Sequence, residues 1–199
     1  MSTEEKILVA AKEVFTQKGF AAARMQEIAD TADINKGLLH YYFRSKQKLF
    51  QAIFDEAFEK FILRINPILD SDLPLFEKID AFVHQYIDIL ISNPHIPSFV
   101  INELNQNKEE FIERILSKKE KPNPMKLLVQ IQMEAQAGKI RDINPFHFFL
   151  NLISMCIFPF LGRPLFQGVM SIDDQTYMQF MEMRKKEIVD FTVNALKKA

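Results

Sequence analysis

The sequence predicts an all-α fold, and three observations predict it. Only five of its 199 residues are glycine. Apolar residues recur at helical spacing, three and four apart, along most of the chain. No stretch shows the strict apolar–polar alternation of a half-buried strand. The helices divide into a short-helix region and a long-helix region. We place the boundary between residues 62 and 63, giving domains 1–62 and 63–199. Residues 66–74, NPILDSDLP, with two prolines and two acids, mark the change in composition.

In the first region Ile7, Leu8, Ala11, Val14 and Phe15 share one helical face. Thr3 is the expected N-cap, and Gly19 should stop the helix. A second short helix carries Met25, Ile28, Ala29 and Ala32, and Asp33 interrupts it. A third begins near Asn35, a credible cap, and points Leu39 and Phe43 inward. Ser45 should cap a longer fourth helix bearing Leu49, Phe50, Ile53, Phe54, Ala57, Phe58 and Phe61, which Pro67 should end. Small Ala29 at the crossing and a turn at Asp33, a residue tolerant of positive φ, fit a helix-turn-helix over about residues 24–43.

The second region predicts helices over 75–92, 98–119 and 125–137, with breaks at Pro94 and Pro97, at 121–124 and at Gly138. Two long helices, about 145–170 and 173–197, close the chain. Pro159, Gly162 and Pro164 should kink or split the first of them.

Composition narrows the function classes. Charge is balanced, 25 basic against 26 acidic residues, so any affinity for nucleic acid must be local. A single cysteine, Cys156, leaves no intramolecular disulfide or cysteine-based zinc site and suits a reducing cytoplasm. The acidic start MSTEEK does not read as a signal peptide. The most apolar run, 146–161, is short and interrupted by His147, Asn151, Ser154 and Pro159, so no membrane span is expected. No phosphate loop, nucleophile elbow, paired carboxylates or histidine pair suggests an enzyme, a cofactor or a metal. His147 and Cys156, nine apart, fall on opposite sides of a helix.

The local exception is INKGLLHYYFRSK, residues 34–46. Lys36, Arg44, Lys46 and Lys48 stand against no acid between residues 34 and 54. On a helix, Gly37, Leu38 and Tyr41 point away from Leu39 and Phe43, with His40 and Arg44 on one flank and Tyr42 on the other. A glycine in an exposed helical turn costs about 1 kcal/mol relative to alanine. Close approach of the backbone to another surface would offset that. Lysine, tyrosine hydroxyls and a helix N-terminus beside Lys46 are donors suited to phosphate, and Lys36 next to bare Gly37 could reach a base edge. The bland alternative is a solvated basic face.

These residues also carry a resemblance. ILVAAKEVFTQKGF (7–20), IAD (28–30) and INKGLLHYYFRSKQKLF (34–50) are similar to the tetracycline-repressor (TetR) family of bacterial transcription regulators. The resemblance is close over about 45 residues and one of style beyond residue 67. It implies a three-helix DNA-binding domain with the third helix in the major groove. It further implies a C-terminal domain that dimerises through its last two helices and encloses a small-molecule pocket. Lys36, Gly37, His40, Tyr41, Tyr42 and Lys46 fall where the family contacts DNA, and Asn35 opens that helix. Gln26 falls where a contacting arginine is common. Arg24 replaces the usual Ser or Thr cap and could still reach phosphate. Asp33 replaces the usual turn glycine. Leu38 stands where a polar residue is common, so its contact would be apolar.

Phenylalanine is abundant, 19 in all and 13 beyond residue 60, which reads first as core filling. A lipophilic pocket lined by some of Phe99, Met133, Phe149, Met155 and Cys156, with His84 or Glu103 orienting a ligand, is the functional reading. The expectation is a cytoplasmic homodimer that binds a palindromic double-stranded operator, most simply as a repressor, and releases it on binding a small hydrophobic effector. The alternative is a helical hydrophobe- or lipid-binding protein whose basic patch meets a membrane or protein.

Overall fold

Ten helices and no strand make up the described residues, 1–198, of the computed structural model. The first four are α1 (Thr3–Ala22), α2 (Met25–Thr31), α3 (Lys36–Tyr42) and α4 (Lys46–Leu69). Then come α5 (Leu75–Ser92), α6 (Ile96–Gln106), α7 (Lys108–Leu116) and α8 (Met125–Gln136). The chain closes with α9 (Pro145–Met170) and α10 (Asp174–Leu196).

Local chemistry sets most of the helix ends. Ser2, not Thr3, caps α1: its hydroxyl accepts from the Glu5 N–H, and the Glu5 carboxylate accepts from the Ser2 N–H. Gly19 breaks α1 with φ 73°, and a last short turn follows it. Asn35, Ser45, Asn144 and Asp173 each accept a backbone N–H three residues on, at the starts of α3, α4, α9 and α10. Arg24 has no acceptor to cap α2, and only Glu27 helps, accepting from the Arg24 N–H at 3.2 Å.

The turn between α2 and α3 is a Schellman cap. Ile34 N–H bonds the Ala29 carbonyl at 3.0 Å and Asp33 N–H the Asp30 carbonyl at 3.2 Å, with Asp33 at φ 55°. A non-glycine residue there pays for a left-handed backbone. Asp33→Gly is therefore expected to raise stability by roughly 0.5–1 kcal/mol in chemical denaturation. A lower denaturation midpoint for the variant would show that the Asp33 side chain contributes more than its backbone strain costs.

Two expected breaks, at Pro67 and within α9, are absent, the one at Pro94 ends two residues earlier than expected, and one is new. Pro67 lies inside α4, which continues to Leu69. Pro97 sits in the first turn of α6, where its missing N–H costs nothing. The segment 98–119 is two helices, parted at Asn107. Most informative is α9, which runs unbroken through Pro159, Gly162 and Pro164. Pro159 cannot donate to the Met155 carbonyl four residues back. Arg184 of α10 does so instead, with Nε at 3.2 Å and Nη2 at 3.1 Å.

Two hydrophobic cores result. One gathers Ile7, Phe15, Ile28, Leu39 and Phe50 of α1–α4 with Phe99 of α6 and Phe111 of α7. The other joins the end of α4 to α5, α8, α9 and α10 through Ile65, Phe82, Ile131, Leu152 and Ile188. The cores thus do not part at residues 62 and 63: α4 serves both, and α6–α7 close the first. Buried Lys78 ties α5 to the end of α4, donating to Ser71 O at 2.7 Å. Buried Lys185 joins α10 to α5 through Asp88.

Among the described residues α9 is the one helix long and apolar enough to cross a membrane by length and composition. The apolar run 146–161 is too short to span on its own, but the helix that contains it is 26 residues long. Phe146, Leu150, Phe158, Leu165 and Val169 of α9 stay exposed, as do Phe180, Met183 and Phe191 of α10.

Candidate nucleic-acid interface and effector cavity

Ala29 of α2 and Leu39 of α3 are both fully buried in the first core, and this fixes which residues α3 shows to solvent. Lys36, Gly37, His40 and Tyr41 are exposed, Tyr41 by 80%. Tyr42 is 40% exposed and packs edge-on to Tyr41, ring centroids 5.4 Å apart. Arg24, Arg44 and Lys48 are exposed around this helix. The result is a short, rigid, cationic and aromatic ridge with a glycine at its start. That shape can enter a major groove while its flanks donate to phosphate.

Four expected contacts are placed differently. Asn35 is exposed, but its Oδ1 is engaged as the α3 cap, accepting from Leu38 N–H at 2.8 Å. Leu38 is half-buried rather than presented. Gln26 is exposed and donates to Asp30 Oδ1 at 2.8 Å. Lys46 turns inward: its ammonium donates to the carbonyls of Phe20 (2.6 Å), Ala21 (3.1 Å) and Ala23 (3.0 Å), and lies 4.6 Å from the centre of the Phe20 ring. All three protons are spent, so Lys46 holds the end of α1 rather than a phosphate. Lys46→Ala is accordingly expected to cost about 1–3 kcal/mol of stability and to leave the salt dependence of DNA binding unchanged. Unchanged stability with a salt slope lower by about one ion would restore the phosphate role.

The C-terminal candidates do not converge. His84 is exposed on α5, 3.7 Å from Asp80. Met133 is 62% exposed on α8. Phe99 and Glu103 are buried, Phe99 in the first core and Glu103 accepting from Gln47 of α4. Phe149 and Met155 are half-buried against the second core, and Cys156 is fully buried in it, its thiol pushed up to about 12 by burial. None of the seven lines the main apolar cavity.

That cavity, of about 330 Å³, lies between α4, α5, α6, α7 and α9. Phe54, Phe58 and Phe61 of α4, Ile89 of α5, Val100 of α6 and Phe111 of α7 supply most of its apolar surface. Tyr86 is a polar-tipped residue in the wall, and burial raises its hydroxyl pKa. Asn93 is the other polar residue of the lining. Phe54, Phe58 and Phe61 were legible as inward-facing; that they face a void, and not solid core, was not. Two wall residues, Phe54 and Phe111, also belong to the first core.

Comparison with known proteins bears on the N-terminal helices and on the fold as a whole. Residues 7–53 match the family described as "Bacterial regulatory proteins, tetR family". Over 181 residues, 86% of this chain and 82% of the relative, the sequence is 25% identical to the HTH-type transcriptional repressor NicS of Pseudomonas putida. The fold is similar to the ketosteroid transcriptional regulator KstR2 of Mycobacterium tuberculosis, with a TM-score of 0.72 at 17% identity, covering 100% of this chain and 96% of that one. It is also similar to the transcriptional regulator FadR of Bacillus subtilis in complex with stearoyl-CoA. There the TM-score is 0.64 at 17% identity, covering 96% of this chain and 98% of that one.

Proposed function

We propose that the chain, whose residues 7–53 match the TetR family of bacterial regulatory proteins, is a ligand-responsive DNA-binding regulator of that family that acts as a homodimeric repressor. In this reading it binds a palindromic operator in the cytoplasm through α3 and is released by a small hydrophobic effector. The exposed set Arg24, Lys36, Gly37, His40, Tyr41 and Tyr42 makes the DNA contacts, with Gln26 reaching DNA only by exchanging its bond to Asp30.

One observation carries the ligand response: the cavity and the DNA-binding core share Phe54 and Phe111 as common walls. A molecule that fits best when those walls stand apart binds one arrangement of α4 more tightly than the other. Each tenfold difference in that preference, about 1.4 kcal/mol, is a tenfold loss of operator affinity. The apolar lining suits an alkyl or fused-ring body, with the Tyr86 hydroxyl as a point of polar contact. The stearoyl-CoA held by FadR, a protein of the same fold, supports that class.

Dimerisation is supported by the unpartnered apolar surface of α9 and α10. Two copies related by a two-fold axis would bury Phe158, Leu165 and Phe191 against their equivalents. The same burial accounts for the apolar length of α9 without a bilayer.

The test is titration of the protein against duplexes from its own upstream region across a salt series, with light scattering in parallel. Expected are a dimer, a site-selective complex whose affinity falls steeply with salt, and weakening by a long-chain acyl thioester. A monomer that binds all duplexes alike, or prefers lipid vesicles to DNA, would remove the proposal in favour of a lipid-binding protein.

A further inference from the structure

One wall of the apolar cavity is built unlike the others. Helix α7 is 9 residues long, against 11 to 26 for the other four helices that line the cavity. Asn107, which parts it from α6, makes no side-chain cap and lies at φ −136° and ψ 45°. Residues 117–124, on its other side, form no helix and include Pro122 and Pro124. The backbone of α7 runs beside α6, and Phe111 and Ile115, four residues apart, enter the lining. A helix this short does not hold itself together in water, so its place depends on what its side chains grip.

Besides those two apolar residues, the grip is ionic and falls on one carboxylate. Arg114, in the last turn of α7, donates through Nη2 to Asp55 Oδ2 of α4 at 2.6 Å and to the Gln51 carbonyl at 3.0 Å. Lys118, just past the helix, places Nζ 2.8 Å from Asp55 Oδ1 and 3.8 Å from Glu59 Oε1. The same ammonium lies 5.8 Å from the centre of the Phe58 ring, which is part of the cavity wall. Asp55, Arg114 and Lys118 keep 34%, 23% and 18% of their side-chain surface in solvent, so added salt weakens these pairs without abolishing them. Ile112 and Leu116, on the outer face of α7, are exposed. Ile101 of α6 lines the cavity and is itself exposed, so the lining opens to solvent at α6, the helix beside α7.

We propose that α7 is the gate of this cavity and that Asp55 is its latch. A ligand enters or leaves when Arg114 and Lys118 release the carboxylate and α7 swings on Asn107 and residues 117–124. The proposal rests on the reading of the cavity as the ligand site, and concerns how fast that site exchanges rather than what it holds. With the gate shut over both the empty and the filled cavity, weakening the latch speeds entry and exit alike and leaves affinity nearly unchanged.

The probe is cis-parinarate, a polyene fatty acid that fluoresces in apolar surroundings, mixed with the full-length protein by stopped flow. Asp55→Asn is expected to raise the association and dissociation rates about threefold or more, and to move Kd by less than about twofold. Raising salt from about 0.05 to 0.5 M should quicken entry into the parent and leave Asp55→Asn unmoved. Asp72→Asn removes the exposed pair with Lys126, away from the cavity, and should change nothing. Val100→Trp, which fills the cavity, should abolish binding. If Asp55→Asn does not fold, Lys118→Gln, which leaves Arg114 on the carboxylate, still decides, through a smaller rise in both rates. Entry rates unchanged in both variants overturn the latch and leave the cavity as the ligand site. A changed Kd with an unchanged entry rate also overturns it, since Asp55 then only shapes the wall. Binding that survives Val100→Trp, or no binding at all, removes the cavity reading and the latch with it.

Discussion

Phe99→Ala is expected to lower the unfolding free energy by about 3–5 kcal/mol, among the largest effects a single truncation can have. Phe99 is 1% exposed. Its ring stacks on Phe50 with centroids 4.2 Å apart and planes 23° apart, and Phe54 lies at 5.5 Å and Phe20 at 6.1 Å. Removing it opens a void in the centre of the first core. Because Phe99 arrives from α6, the damage should appear in the DNA-binding half: hydrogen exchange should accelerate in α1 and α4 more than in α9 and α10. By the same reasoning residues 1–62 expressed alone should melt well below the full chain, since Phe99 and Phe111 complete their core. A loss under about 1 kcal/mol, or exchange that quickens mainly in α9 and α10, would show that the two halves fold independently.

Gly37→Leu is expected to cost operator affinity tenfold or more, about 1.4 kcal/mol, while the protein stays folded. Gly37 is exposed at the start of α3, and a leucine there stands between the helix and any surface it approaches. The effect on stability is more balanced than helix propensity alone suggests. A Cβ at Gly37 would lie 3.2 Å from Asn35 Oδ1, the capping oxygen of α3. Alanine's gain of about 1 kcal/mol in an exposed helix is then set against pressure on a cap worth about 0.5–2 kcal/mol. Gly37→Ala should accordingly melt within about 1 kcal/mol of the parent, in place of a clear gain. Measuring melting and operator affinity on both variants separates the roles. Full-strength operator binding by Gly37→Leu would falsify the groove contact, and a large drop in melting temperature for both would make Gly37 a residue of the cap.

The DNA-binding half was the more legible because its signals are local. Asn35 and Ser45 cap the helices they precede, Asp33 takes the positive φ that its place in the turn requires, and Leu39 and Phe43 point inward. Each follows from residues within one turn of one another. What escaped depends on distant partners. Nothing near Lys46 in the sequence says that its ammonium will meet the carbonyls of residues 20, 21 and 23. Pro159 reads as a helix breaker until Arg184, 29 residues away from Met155, supplies the missing donors. The cavity escaped for the same reason. Periodicity tells which face of α4 turns inward, but whether that face meets solid core or a void is decided by where α5, α6 and α7 stop short of one another.

The two-core service of α4 has a mechanical consequence. At 24 residues the helix is about 36 Å long. It is a single rod that packs on α1, begins one short turn after α3, the proposed reading head, and walls the cavity with its middle turns. Turning such a rod by about 5° about its far end displaces the near end by about 3 Å. That exceeds the few tenths of an ångström over which a hydrogen bond to a phosphate or base stays good. In a two-fold pair both heads swing at once, so the spacing between them changes by up to twice as much, against half-sites fixed about 34–36 Å apart by the pitch of the duplex. In the dimer proposed above, a molecule that shifts the side of α4 by less than the width of one methyl group would in this way put the two reading heads out of step with one turn of DNA.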